Sequence, residues 1–167
     1  MTIIAEKDRQ AVRDLLAREL AEDLELLLFT RGRSHGGAAS GQDGDSSEET
    51  HELLAELAAL SDHLRLTPID VDADPAAATL YNVTAVPTVI VRRRAAAKNG
   101  SESDRPAAAE AAANVRFLGL PGGYEFSTLL ADLVDVSKGR TDLSAEGRAA
   151  VRAIDTPVHI QVFVTPT

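Results

Sequence analysis

Three kinds of residue along the chain could do chemistry. Ser34 and His35 are adjacent, as a hydroxyl nucleophile and its base would need to be close. They lie in a stretch rich in Gly, Ser and Asp (residues 31–47), and no third residue orients the pair. A mobile loop accounts for them better. His51, His63 and His159 stand singly, without metal-ligand spacing, and read as surface or satisfied histidines. The acidic run DGDSSEE (43–49) has oxygen ligands for Ca²⁺ but departs from the twelve-residue loop pattern, so it reads as a solvated helix start. Asn82-Val83-Thr84 matches a glycosylation sequon, which an intracellular chain would not use. No glycine-rich phosphate loop is present, and no cofactor or metal is expected.

The remaining candidate is Ala85-Val86-Pro87-Thr88, placed where a β-branched run begins. Proline cannot donate to a sheet ladder and belongs at a strand start, an edge or a turn. Pro87 is therefore either a strand cap or the rim of a ligand groove.

Composition narrows the function classes. None of the 167 residues is cysteine, which excludes disulfides, thiolate metal sites and a cysteine nucleophile within this chain. The net charge of −9 argues against nucleic acid or an anionic membrane as partner. Arg92-Arg93-Arg94 is short and reads as a solvated strand end. Aromatic residues make up only 4% against 44% hydrophobic, so Leu, Val, Ile and Ala must build the core. The first twenty residues are charged and periodic, unlike a signal peptide, and no apolar run reaches membrane-spanning length. A cytoplasmic location is expected.

The elements that would position these residues follow from periodicity. Val12, Leu15, Leu16 and Leu20 share one helical face, and LELLLFT (24–30) reads as a buried strand. Ser46 or Ser47 would cap a second helix, with Glu48 and Glu49 in its first turn and Leu53, Leu54, Leu57 and Leu60 inward. LRLTPIDVD (64–72) reads as a strand in which Pro68 suggests an edge or a strand margin. Asp74-Pro75 starts a short helix reaching about Tyr81. A strand over 88–93 and a return strand over 114–120 flank the Ala-rich segment 95–113, an elongated hairpin connection or insertion. Phe126, Leu129, Leu130, Leu133 and Val134 mark a helix over 124–137. Ser144 would cap a last helix with Val151 and Ile154 inward, and VHIQVFV (158–164) reads as a final strand.

A strand-helix-strand crossover is parallel and right-handed, whereas a hairpin is antiparallel. This order therefore predicts an α/β thioredoxin-like fold, a central mixed sheet flanked by helices on both faces. Residues 70–91, DVDADPAAATLYNVTAVPTVIV, resemble the thioredoxin-like pattern of an acidic strand, a short helix and a Val-Pro-Thr turn into a strand. More specifically, RFLGLPGGYEFSTLLADLVDVSKG and VHIQVFVTPT resemble the two-unit protein disulfide oxidoreductases, also called glutaredoxin-like proteins. The amino-terminal domain of the alkyl hydroperoxide reductase flavoprotein subunit is built in the same way.

The resemblance implies that Pro87 is cis and that Val86, Pro87 and Thr88 form a substrate groove. There the backbone of Val86 would hydrogen-bond an extended protein or peptide. It also implies one thioredoxin-like unit over 1–137, followed by a linker, a helix and the first strand of an incomplete second unit over 138–167. Two departures matter. The loop that can carry CxxC in the first unit holds Arg33-Ser34-His35-Gly36, and the chain ends where the second unit's CPxC would follow. The family activity would be disulfide oxidoreduction, but this chain holds no catalytic residue for it. Two roles remain: a redox-inactive structural and docking half, or a stand-alone binding module that uses the proline groove or an exposed strand edge. In the second case the apolar segment 158–164 could pair two copies in a homodimer.

Overall fold

The run Leu24–Thr30 places large apolar side chains at both odd and even positions, so a strand made from it must be covered on both faces. In the computed structural model, which describes residues 3–32, 43–94 and 115–162, it is the interior strand β1 (Leu24–Thr30). The sheet has the order β2-β1-β3-β4. β2 (Leu64–Asp70) runs parallel to β1, β3 (Thr88–Arg93) runs antiparallel to β1, and β4 (Val115–Leu118) runs antiparallel to β3. Pro68 sits opposite Leu28 on the edge strand β2, the position that its missing N–H requires. The helices are α1 (Glu6–Glu19), α2 (Asp43–Ala58), α3 (Pro75–Leu80), α4 (Tyr124–Lys138) and α5 (Ala145–Arg152). This is the mixed α/β sheet that the sequence predicts, and the Ala-rich connection 95–114 lies outside the described residues.

The two sheet faces are covered unequally. Leu24, Leu26 and Leu28 pack with Val89 and Val91 against Val12 and Leu16 of α1, Leu53, Leu54 and Leu57 of α2, and Leu129 and Leu133 of α4. Leu27, Phe29 and Ile90 face the other way and, among the described residues, meet Ala77 and Leu80 of the six-residue α3, Tyr81 just beyond it, and Ile69, Val71 and Val83 at the margins. The Phe29 and Tyr81 rings lie 5.5 Å apart, tilted by 55°. Beyond the reach of α3 the same face carries polar pairs. Glu25 stands opposite Arg92 across β1 and β3, and its Oε2 accepts from Arg92 Nε at 2.9 Å. Its Oε1 accepts from the Thr67 hydroxyl at 2.6 Å.

Several boundaries differ from expectation. α2 begins at Asp43, so Ser46 and Ser47 lie inside the helix instead of capping it. The Ser46 carbonyl there accepts from Thr50 Oγ1 at 2.5 Å, one turn on. Asp74 caps α3 as predicted, accepting from Ala77 N at 2.9 Å. Ser144 caps α5, accepting from Gly147 N at 3.1 Å. Val151 and Ile154 are not inward, however: they are 55% and 52% exposed, and among the described residues nothing packs on α5 closely enough to bury a residue of it. The strand expected over 158–164 is likewise not formed where described. Residues 158–162 are exposed and pair with no described strand, and a strand exists only as one of a pair. Residues 163 and 164 lie outside the described range.

Most of the locking of α4 onto the sheet occurs at its C-terminus. Ser137 is fully buried, and its hydroxyl accepts from the N–H groups of Ala21 and Glu22, both at 2.8 Å, and donates to Glu22 O at 3.0 Å. One hydroxyl thus uses its full bonding capacity on the turn that joins α1 to β1. Gly139, at φ 58°, ends the helix, and Arg93 closes on it, donating to the carbonyls of Val136 and Ser137 at 2.9 Å each. A side chain at Gly139 would put its Cβ 2.2 Å from the Arg93 guanidinium, so glycine is needed for space as well as for φ.

Replacing Ser137 with Ala strands two amide donors and one carbonyl, and should lower the unfolding free energy by about 2 kcal/mol in urea titrations, with the denaturant slope unchanged. A second expectation concerns acid. Hydrogen bonds from Arg18 and Lys138 hold Glu19 at a pKa of about 2. Burial pushes Glu25 and Glu56 up, but donors outweigh it: Thr67 and Arg92 for Glu25, and the Ile3 and Ile4 amides with Arg9 for Glu56. All three end below the usual carboxylate value. Their stabilisation is therefore complete above about pH 5 and is lost as pH falls towards 2. Asp132 runs the other way, raised by burial and then by Asp135. Thermal midpoints measured from pH 7 to pH 2 should stay level to about pH 5 and then fall.

Candidate functional site

The turn between α3 and β3 is held at its two ends. Asn82 adopts φ 49°, a conformation asparagine tolerates. Arg116 on β4 reaches across to donate to the carbonyls of Tyr81 and Asn82, at 3.0 and 3.2 Å. The Val83 amide donates to Ala78 O at 2.9 Å. The Val86–Pro87 peptide bond is cis, as the resemblance implies. Pro87 is buried, and its carbonyl accepts from Gly119 N at 2.9 Å. Thr88 is fully buried, and its hydroxyl donates to Ala85 O at 2.7 Å.

The Thr84, Ala85 and Val86 amides have no hydrogen-bond partner among the described residues, and of these three residues only Val86 is not exposed. It is half-buried, and its backbone N–H and C=O form no hydrogen bond with another described residue. It lines an open depression of ≈ 680 Å³ together with Arg31, Asp72, Ala78, Val83 and Thr84. Thr88 pairs with Phe29, so this turn stands at the end of the sheet where β1 and β2 finish. The carboxyl ends of parallel strands are where open α/β sheets hold ligands.

The opposite wall is fixed by Asp70, the last residue of β2. Its carboxylate accepts the amide N–H groups of Asp72, Gly32 and Ala73, and these donors, with Arg31 nearby, hold its pKa below the usual value. The Asp72 amide lies 2.9 Å from Asp70 Oδ1. A Cβ on Gly32 would fall 2.2 Å from Asp70 Oδ2, so only glycine lets the chain leave β1 this close to β2. Arg31 and Asp72 pair at 3.3 Å, both well exposed, so the pair adds direction more than stability. Sequence reasoning missed this latch. The only trace of it is a Gly just after one strand and an Asp ending the next, which carries no periodic signal.

The other candidates separate. Ser34 and His35 lie outside the described residues. His51 is an exposed residue of α2, His159 stands in the exposed tail, and His63 Nδ1 lies 2.8 Å from Asp23 Oδ1. Among the described residues no three potential ligands gather where a metal could bind. The acidic run 43–49 forms the first turns of α2. The arginine cluster is a solvated strand end only in part: Arg93 and Arg94 are exposed, but Arg92 pairs with Glu25 and Arg93 also caps α4, while Arg94 lies 3.8 Å from Asp23. Alternation along β3 sends Arg92 and Arg93 to opposite faces, where each finds its partner.

No protein-family model matches the chain, and no curated protein matches it either. Solved structures do. The N-terminal domain of alkylhydroperoxide reductase AhpF from Enterococcus faecalis matches with a TM-score of 0.61 at 25% identity over 86% of this chain and 57% of that one. A structure of a mutant AhpF from the same organism gives 0.66 at 23% identity, covering 90% and 61%. A protein disulfide oxidoreductase from Aeropyrum pernix gives 0.64 at 21% identity, covering 89% and 54%. The chain thus spans a little over half the length of these structures. Among the described residues no helix is long and apolar enough to cross a membrane. With no cysteine in its sequence, the chain is a thioredoxin-like unit without CxxC, similar to the N-terminal domain of AhpF and to a protein disulfide oxidoreductase.

Proposed function

We propose that this chain is a redox-silent thioredoxin-like module in which the Val86-Pro87-Thr88 turn holds an extended peptide. Thiol-disulfide exchange begins with a thiolate, and no residue here can supply one. The observation that carries the reading is the peptide group of Val86. Its donor and acceptor, beside the cis bond, have no partner among the described residues and border an open depression. A strand laid beside it would gain main-chain hydrogen bonds of the kind that sheet augmentation uses. The depression offers Val83 and Ala78 to apolar side chains, and Arg31 with Asp72 to polar ones.

Residues 138–167 belong to the same proposal as a linker followed by the opening of a second unit. Ala150-Val151-Arg152 in α5 repeats Ala11-Val12-Arg13 in α1. Val158, Ile160 and Val162 then follow, as Leu24, Leu26 and Leu28 follow α1, with the same spacing of two. The coverage of little more than half of each structural neighbour fits this reading. In a reductase or disulfide oxidoreductase of that design, this chain would supply support and docking while the sulfur chemistry is done elsewhere.

The test is titration of the ¹⁵N-labelled chain with carboxymethylated insulin B chain, an extended peptide that cannot react. Amide shifts should centre on Val86 and Thr88, with weak affinity. Val86→Pro, which removes the donor, should weaken binding about five- to tenfold, whereas Val86→Ala should not. Shifts that avoid this turn, or equal affinity for both variants, would refute the docking role.

A further inference from the structure

Five of the nine exposed large apolar residues among the described ones lie in one stretch, 151–162, whereas Leu118 and Tyr124, as exposed, lie elsewhere. Val158, Ile160 and Val162 are 60%, 82% and 81% exposed, and Val151 and Ile154 just before them are also more than half exposed. The alternation with His159 and Gln161 is the pattern of a strand with one apolar face. Its equivalents by the α1–β1 repeat, Leu24, Leu26 and Leu28, are fully buried. The segment therefore has the side chains of a core strand without a core.

We propose that a second copy of the same segment covers it, in an antiparallel pair about a two-fold axis at Ile160. This goes beyond the peptide-docking reading, rests only on the exposed segment, and stands as the alternative to a second unit of the same chain covering residues 158–162. The argument for a like partner is electrostatic. The chain carries a net charge of −9, so two copies repel across most surfaces. Residues 156–162 contain no Asp, Glu, Lys or Arg, so this stretch can meet its own copy without like charges opposed. The alternation is also self-complementary. With Ile160 on the axis, Val158 faces Val162 of the other copy and His159 faces Gln161, so all apolar side chains fall on one side. The chain's own sheet edges are poorer hosts: β2 carries Pro68 in its middle, and β4 is only four residues long. Five or so side chains bury less than the ~800 Å² per partner of a standard interface, so the dimer is weak, with a dissociation constant on the order of 100 µM.

Sedimentation equilibrium of the full chain from 5 to 500 µM tests this. The unaltered chain should pass from monomer to dimer over that range. Ile160→Lys and Ile160→Glu, each substituting an exposed residue, should keep the thermal midpoint and remain monomeric throughout. An equimolar mixture of the two should dimerise again, because only self-pairing at residue 160 sets Lys opposite Glu. A monomer at every concentration overturns the proposal, as does a single variant that still dimerises. So does loss without recovery in the mixture, which would place the segment elsewhere, on the edge of β4 or in the apolar groove between α1 and α4 of another molecule.

Discussion

Every element answers to the double burial of β1. A strand with leucines on both faces cannot sit at an edge or leave a face to water, so it takes the interior of the sheet and requires helices above and below. One face obtains three helices. The other has α3, six residues long, and the ends of β1 and β3 that it does not reach must be made compatible with water. Glu25, Thr67 and Arg92 do this, their apolar neighbours Leu27 and Ile90 being left to α3 and Tyr81. Arg92 lies 6.0 Å from the Tyr81 ring centroid, which joins the polar part of the face to the apolar one.

The same unequal covering explains where the candidate site lies. α3 is held at its start by Asp74 and at its end by Arg116, so the turn that follows is rigid. That turn has to descend into the buried start of β3. Pro87 and Thr88 enter the interior with their polar groups matched, by Gly119 and Ala85. The Val86 peptide group is left at the rim, as the Thr84 and Ala85 amides are, where the chain reverses between α3 and β3. An unpaired peptide group costs little while water reaches it and is available when water is replaced by another main chain. Asp70 provides the second wall by tying the exits of β1 and β2 together.

What could be read from the sequence was what repeats or what punctuates. The apolar stripes of α1 and α4, the edge position of Pro68 and the Asp74-Pro75 helix start all follow from periodicity or from single-residue stereochemistry. The cis bond at Pro87 came from resemblance, because spacing cannot distinguish it from trans. What could not be read was pairing over distance. Ser137 serves a turn more than a hundred positions away, Arg93 caps α4 across the sheet, and Gly32 makes room for Asp70. None of these leaves a local pattern, so an arginine run looked solvated when two of its three members were structural. The inward reading of Val151 and Ile154 failed for the converse reason. Amphipathic spacing shows that a helix has an apolar face but not that the same molecule covers it.

The absence of sulfur changes what a groove of this shape can achieve. In an enzyme, a hydrogen bond to an extended substrate accelerates reaction only if it is stronger in the transition state than in the ground state. Without a thiolate no disulfide is exchanged here, so under the docking proposal every interaction at Val86 would be expressed as affinity, set against the ordering of the peptide and the displacement of water. A few main-chain hydrogen bonds, each worth about 1 kcal/mol net, cannot hold a free peptide tightly. They can matter once a second contact to the same partner is in place, because the groove then acts at high effective concentration. A site of this kind therefore makes physical sense as one contact of several, where support and docking operate together within a larger assembly.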